Sequence, residues 1–189
     1  GGNITATNFA YWSGIASQHY RIATTDRLEL PVGFCNNDFG FTLEVSFGVV
    51  ELSGASDYIP IISSTDKLSS NPVRYKFNLY VDKSDQKLKL NSIGNIQATL
   101  VVADANLEET GDGKYKVGVL SNSTLSIIYD CIDEDVVRIY IDGVEVFSYE
   151  ASLNNINLTN LQIGTQRGYD PKYQRRNVTV SAKEIRLYN

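Results

Sequence analysis

Hydrophobic and polar residues alternate along most of this chain. In 41–52, Phe41, Leu43, Val45, Phe47 and Val49 alternate with Thr42, Glu44, Ser46 and Gly48. In 75–82, Tyr75, Phe77, Leu79 and Val81 alternate with Lys76, Asn78, Tyr80 and Asp82. In 136–141, Val137, Ile139 and Ile141 oppose Arg138 and Tyr140, and the polar set continues to Asp142. Successive side chains of a strand point to opposite sides, so this period of two predicts strands with one buried face. Further strands are predicted at 20–23, 28–30, 58–63, 87–93, 97–103, 115–120, 124–129, 144–149, 161–165 and 178–188. Pro31 stops the second of these, and Pro60 makes 58–63 an edge or bulged strand, because proline has no N–H to give to a ladder.

Turn chemistry separates these runs. Asp142-Gly143 sits between 136–141 and 144–149. A two-residue hairpin turn of type I′ needs φ > 0 at both central positions, and Asp-Gly supplies it. Asn36-Asn37-Asp38 and 83–86 read as turns. The stretch 104–113 reads as an acidic loop or one helical turn, and 3–17 as a loop or irregular first strand. No stretch shows three turns of helical periodicity. Many short strands with turn signals predict an all-β fold: a two-sheet antiparallel β-sandwich over 1–189, forming a single domain. The predicted core holds Phe41, Leu43, Val45, Phe47, Phe77, Leu79, Ile127, Val137, Ile139, Ile141 and Leu187.

Three stretches resemble a known superfamily. Thr124–Asp130 followed by 136–146, TLSIIYD and VVRIYIDGVEV, is similar to the paired strands of laminin-G-like, concanavalin A-like jelly rolls. Leu161-Gln162-Ile163-Gly164 resembles their L-x-I-G strand, and 183–189, KEIRLYN, resembles their closing strand. The resemblance implies the concanavalin A-like jelly-roll topology. Its functions span lectins, glycanases, adhesion modules and spacers, so the fold leaves function open. The segment 21–31, RIATTDRLELP, resembles an opening segment seen ahead of jelly rolls in phage tail and bacterial surface proteins.

Composition narrows the partners. The 189 residues carry a net charge of −5, which argues against a nucleic-acid partner, since such binders need a basic footprint. No apolar run reaches the length of a membrane span, so membrane insertion is not expected. The chain reads as a domain of a larger parent protein. An extracellular, cell-surface or virion-surface setting is expected. Cys35 and Cys131 are two thiols or one disulfide, and the sequence leaves both open.

Catalytic constellations are missing. The single histidine, His19, has no recognisable nucleophile motif beside it. Jelly-roll glycanases of the laminarinase type place acids as Glu-x-Asp-x-Glu, and no such motif occurs here. Retaining hydrolysis needs carboxylates about 5–5.5 Å apart, and the contiguous Asp133-Glu134-Asp135 points alternate side chains apart if extended. The chain is therefore not expected to be an enzyme. Laminin-G-like relatives often hold a rim calcium, which makes Asp130, Asp133 and Asp135, with Asp26 and Asp170, candidate ligands for a structural calcium ion. Solvated turn acids are the competing explanation.

Glycan recognition needs aromatic faces and planar polar groups. Trp12, Tyr58, Tyr80, Tyr169 and Tyr173 supply the first, and Arg74, Asn78 and Arg167 the second. The densest cluster is 166–176, QRGYDPKYQRR, with Arg167 and Tyr169 as principal residues. Sialic-acid-binding modules of this superfold carry an arginine just after the I-G strand, and the resemblance extends to Arg167. The alternative location is the polar strand face bearing Arg74, Asn78 and Tyr80. The leading expectation is a non-catalytic carbohydrate-binding or adhesion module whose partner is a glycan or cell-surface polysaccharide. The rival is a structural or receptor-binding domain of a phage tail fibre or bacterial surface protein that contacts protein. An unrecognised glycanase is the third.

Overall fold

A computed structural model describes residues 5–7, 10–14, 17–22, 27–29, 41–53, 57–65, 75–93, 96–130, 136–150, 161–163 and 177–188. Among them there is no helix. In chain order the strands are β1 (Thr5–Thr7), β2 (Ala10–Gly14), β3 (Ser17–Ile22), β4 (Arg27–Glu29), β5 (Phe41–Ser53), β6 (Tyr58–Thr65), β7 (Tyr75–Asp82) and β8 (Lys87–Ile93). They continue as β9 (Ile96–Asp104), β10 (Leu107–Gly111), β11 (Lys114–Val117), β12 (Thr124–Asp130), β13 (Val136–Ile141), β14 (Val144–Glu150), β15 (Leu161–Ile163) and β16 (Asn177–Tyr188).

Two antiparallel sheets form the sandwich. One has nine strands, ordered β14-β13-β12-β5-β16-β3-β2, with β10 and β11 attached beside β5. The other is ordered β15-β6-β7-β8-β9, and β1 pairs separately with β4. The all-β sandwich expected from the alternation is the observed fold.

The long strand β5 organises the larger sheet. On one side it pairs with β16. On the other it pairs with β12 through Phe41–Ser46 and with β11 at Glu51 and Leu52. The turn before β12 closes the gap between these partners: Asn122 N donates to Gly48 O, and Val50 N donates to Ser121 Oγ at 3.1 Å. Buried backbone groups left unpaired there would each cost free energy.

Inward residues of both sheets build one apolar cluster. Leu43, Val45, Phe47, Phe77, Leu79, Ile127, Val137, Ile139 and Ile141 all lie in it, as their alternation predicts. The side chains of Phe41 and Leu187 lie outside the described residues. Asp142 and Gly143 have φ of 51° and 78°, the signs a type I′ turn requires. Asp142 also ties the hairpin to β12, because its Oδ1 accepts from Thr124 N at 2.8 Å.

Two local expectations are corrected. The acidic stretch 104–113 is mostly strand: β10 folds back on β11, through a turn with Gly111 at φ 106° and Gly113 at φ 70°. The predicted strand 115–120 ends at Val117 and passes into a turn at Gly118. The alternation of β5 also changes phase: Val49 is exposed and Val50 buried. Register shifts in β16 face this part of β5, and a bulge flips every side chain beyond it.

Candidate functional site

Antiparallel pairing of β6, β7, β8 and β9 brings a polar cluster onto the face of the smaller sheet turned away from the core. In β7, Leu79 and Val81 point into the core, so Asn78, Tyr80 and Asp82 point outward. Ser63 stands opposite Asn78, Pro60 opposite Tyr80 and Tyr58 opposite Asp82. On the other side, Lys89 faces Tyr80 and Lys87 faces Asp82. Pro60 falls at a register shift, and β15 pairs only with Ile62, Ser63 and Ser64, so its missing N–H costs no ladder bond to β15.

Tyr58 lies over Tyr80, with ring centroids 4.2 Å apart and planes inclined by 39°. From there its hydroxyl reaches two amides. Asn78 Nδ2 donates to it, and Asn91 Nδ2 donates to it at 3.3 Å. Asn78 Nδ2 also donates to Asn91 Oδ1 at 2.8 Å. Asn78 is fully buried and Tyr80 is 5% exposed, whereas Tyr58 and Asn91 are half-buried. The phenol of Tyr80 is hydrogen-bonded to Thr99, and burial is the main cause that raises its pKa. Among the described residues two buried polar atoms have no hydrogen-bond partner, Asn78 Oδ1 and Ser63 Oγ.

A charged clamp flanks the tyrosines. Lys89 Nζ lies 2.9 Å from Asp82 Oδ2 and also contacts Asp85 Oδ2. The hydrogen bonds that Lys89 donates to Asp85 and then Asp82 push the ammonium pKa upward. At Asp82 burial raises the carboxyl pKa. Bonds from the Ser84 hydroxyl, Lys89 and the Ser84 amide outweigh it, so the net shift is downward. Lys87 pairs with Asp104. Beyond the clamp, Ser84, Asp85, Gln86, Lys87, Asp104 and Asn106 line a hollow of about 360 Å³.

Of the residues singled out from sequence, Tyr58, Asn78 and Tyr80 come together here. The latter two form the layer beneath Tyr58. Trp12 is in β2, in register with His19 of β3, and its side chain lies outside the described residues. Arg74, Arg167, Tyr169 and Tyr173 also lie outside them, as do Asp133, Asp135, Cys35, Cys131 and the side chain of Asp130. Among the described residues no group of three or more His, Cys, Asp and Glu side chains is placed to hold a metal ion.

Lys89, Asn91 and Asp85 are cluster members that the site prediction passed over. Their signal was present: a turn at 83–86 between two alternating strands sets Lys87, Lys89 and Asn91 beside the polar face of β7.

No protein-family model matches this chain, and no curated protein sequence matches it. Solved structures do match it in fold. The receptor-binding domain of botulinum neurotoxin type G is similar over 100% of this chain and 43% of its own, at 13% identity and a TM-score of 0.57. The carbohydrate recognition domain of Emp47p is similar over 99% of this chain and 88% of its own, at 17% identity and a TM-score of 0.55. The CBM40 of a Ruminococcus gnavus IT-sialidase, solved with α2,6-sialyllactose, is similar over 88% of this chain and 93% of its own, at 9% identity and a TM-score of 0.51. This chain thus spans less than half of the botulinum domain it matches. At such identities the likeness is one of fold, the lectin-like β-sandwich.

Proposed function

We propose that this chain is a non-catalytic carbohydrate-binding module, acting in an extracellular, cell-surface or virion-surface setting, with Tyr58 at the centre of its site. The observation that carries this reading is the anchoring of one half-buried tyrosine. Its ring rests on Tyr80, and its hydroxyl is held by Asn78 and Asn91. A sugar presents C–H faces and hydroxyls. A tyrosine already fixed in place loses little rotamer entropy when such a face stacks on it. Asn91, Asp85 and the polar groups lining the hollow then supply hydrogen-bond partners at its edge.

Non-catalytic action fits the state of the nearby carboxylates. Asp82 and Asp85 share one ammonium and serve as its counterions, and the Asp82 carboxyl pKa is lowered, away from that of a general acid. The sandwich likeness to carbohydrate- and receptor-binding domains supports the same reading at the level of fold. The segment 166–176, with Arg167 and Tyr169, is proposed as a second contact. A glycan-array screen of the chain tests the reading. Reproducible binding to a related set of glycans is expected, and no binding by a correctly folded sample would overturn it.

A further inference from the structure

The polar groups around Tyr58 restrict which sugars fit. Three carboxylates, Asp82, Asp85 and Asp104, stand with two ammonium groups, Lys87 and Lys89, while the ammonium of Lys83 in the same turn lies over the Tyr115 ring. Both ammonium groups are already engaged: Lys89 by two carboxylates and Lys87 by Asp104. The Lys89 side chain is 12% exposed, against 45% for Asp85. At Lys89 an approaching ligand therefore meets carboxylate oxygens before the ammonium, and at Lys87 the carboxylate is again the more exposed partner, 67% for Asp104 against 37%. Those oxygens accept hydrogen bonds and cannot donate them when ionised. In the buried layer beneath the ring, Asn78 Oδ1 and Ser63 Oγ are without a hydrogen-bond partner among the described residues.

We infer that this site takes neutral, hydroxyl-rich glycans and discriminates against sugars bearing a carboxylate, an inference that rests on the glycan reading above. Sugar hydroxyls donate to the exposed carboxylate oxygens of Asp85 and Asp104. A sialic or uronic acid brings another acceptor-only group with like charge, and like charges brought together at a partly desolvated site are a recognised source of discrimination.

The test is calorimetric titration of the full chain with matched pairs of oligosaccharides, one neutral and one carrying the same core capped by sialic or uronic acid. The neutral member of each pair is expected to bind roughly tenfold or more tightly. In Asp85→Asn, whose half-exposed side chain can be changed without opening the core, that ratio should shrink severalfold, since one repelling charge is gone. Equal or tighter binding of the acidic member would overturn the inference while leaving the glycan reading intact. So would an unchanged ratio in a folded Asp85→Asn protein. Failure to bind any member of any pair would instead overturn the glycan reading itself, and this inference with it.

Discussion

The ring of Tyr58 lies 4.2 Å from that of Tyr80, and its hydroxyl spans from there to the amides of Asn78 and Asn91. Tyr58 belongs to β6, Asn78 and Tyr80 to β7 and Asn91 to β8, so one side chain links three strands of the smaller sheet. The contact is one of shape as well as polarity. Tilted aromatic pairs of this kind contribute about 0.5–1.5 kcal/mol beyond the area they bury.

Removing the hydroxyl alone separates these contributions. Tyr58→Phe keeps the ring on Tyr80 but takes a hydrogen-bond partner from both amides. A loss of about 1–2 kcal/mol in unfolding free energy is expected from urea titration, because the Asn78 amide stays buried with one partner fewer. Asn78→Ala should cost more, about 1–3 kcal/mol, since it takes one hydrogen bond from Tyr58 and one from Asn91 together. A neutral Asn78→Ala would show that the network does not stabilise the sheet.

The Asp82–Lys89–Asp85 clamp gives a pH signature with two limbs. The Asp82 carboxyl pKa is depressed in the folded protein, so its contribution is present above the unfolded value near 3.8 and is lost as pH falls through the folded value. The Lys89 pKa is raised, so its contribution is present below the unfolded value near 10.5 and is lost as pH rises through the higher folded value. The clamp's contribution should therefore be flat across neutral pH and decline at both extremes. Denaturation midpoints measured against pH should show the acid limb weakened in Asp82→Asn and the alkaline limb weakened in Lys89→Gln. Identical profiles in wild type and both variants would remove the clamp from the account.

Gly118 has a different requirement. A Cβ built there would stand 2.6 Å from the carbonyl oxygen of Asn106, to which Gly118 N itself donates at 2.9 Å. Gly118→Ala must push two backbone segments apart and should destabilise by about 1–3 kcal/mol. Gly143→Val should also destabilise, through φ of 78° rather than crowding, because nothing lies within 4 Å of a Cβ there. Thermal melts of the two variants against wild type check both.

How far these features were legible in the sequence depended on their range. The hairpin at Asp142-Gly143 is local, and two adjacent residues specify its turn. The core of β13 follows from alternation alone: Val137, Ile139 and Ile141 are buried and Arg138 and Tyr140 are not. Core packing at Ile139 makes the usual wager, about 2–5 kcal/mol lost in Ile139→Ala. The alternation in 75–82 separated Asn78 and Tyr80 from Leu79 and Val81 correctly, but polarity on one face says nothing about what lies over it. Among the described residues it is the diagonal reach of Tyr58 from the neighbouring strand that sets Asn78 and Tyr80 in an inner layer. Lys89 and Asn91 needed the β7–β8 register, which the four-residue turn nearly dictates. The β10–β11 hairpin was missed because its Glu108, Glu109 and Asp112 are exposed and leave no apolar period to read.

The central claim is that a glycan stacks on Tyr58. Calorimetry of wild type, Tyr58→Phe and Tyr58→Ala against the strongest glycan from the array tests it most directly, with thermal melts confirming that each variant is folded. Tyr58→Phe keeps the stacking face and should bind within a fewfold of wild type. Tyr58→Ala removes that face and should lose about tenfold or more in affinity, as expected when a central aromatic contact is truncated. Wild-type affinity in a folded Tyr58→Ala protein would contradict the account and move the ligand to another part of the chain.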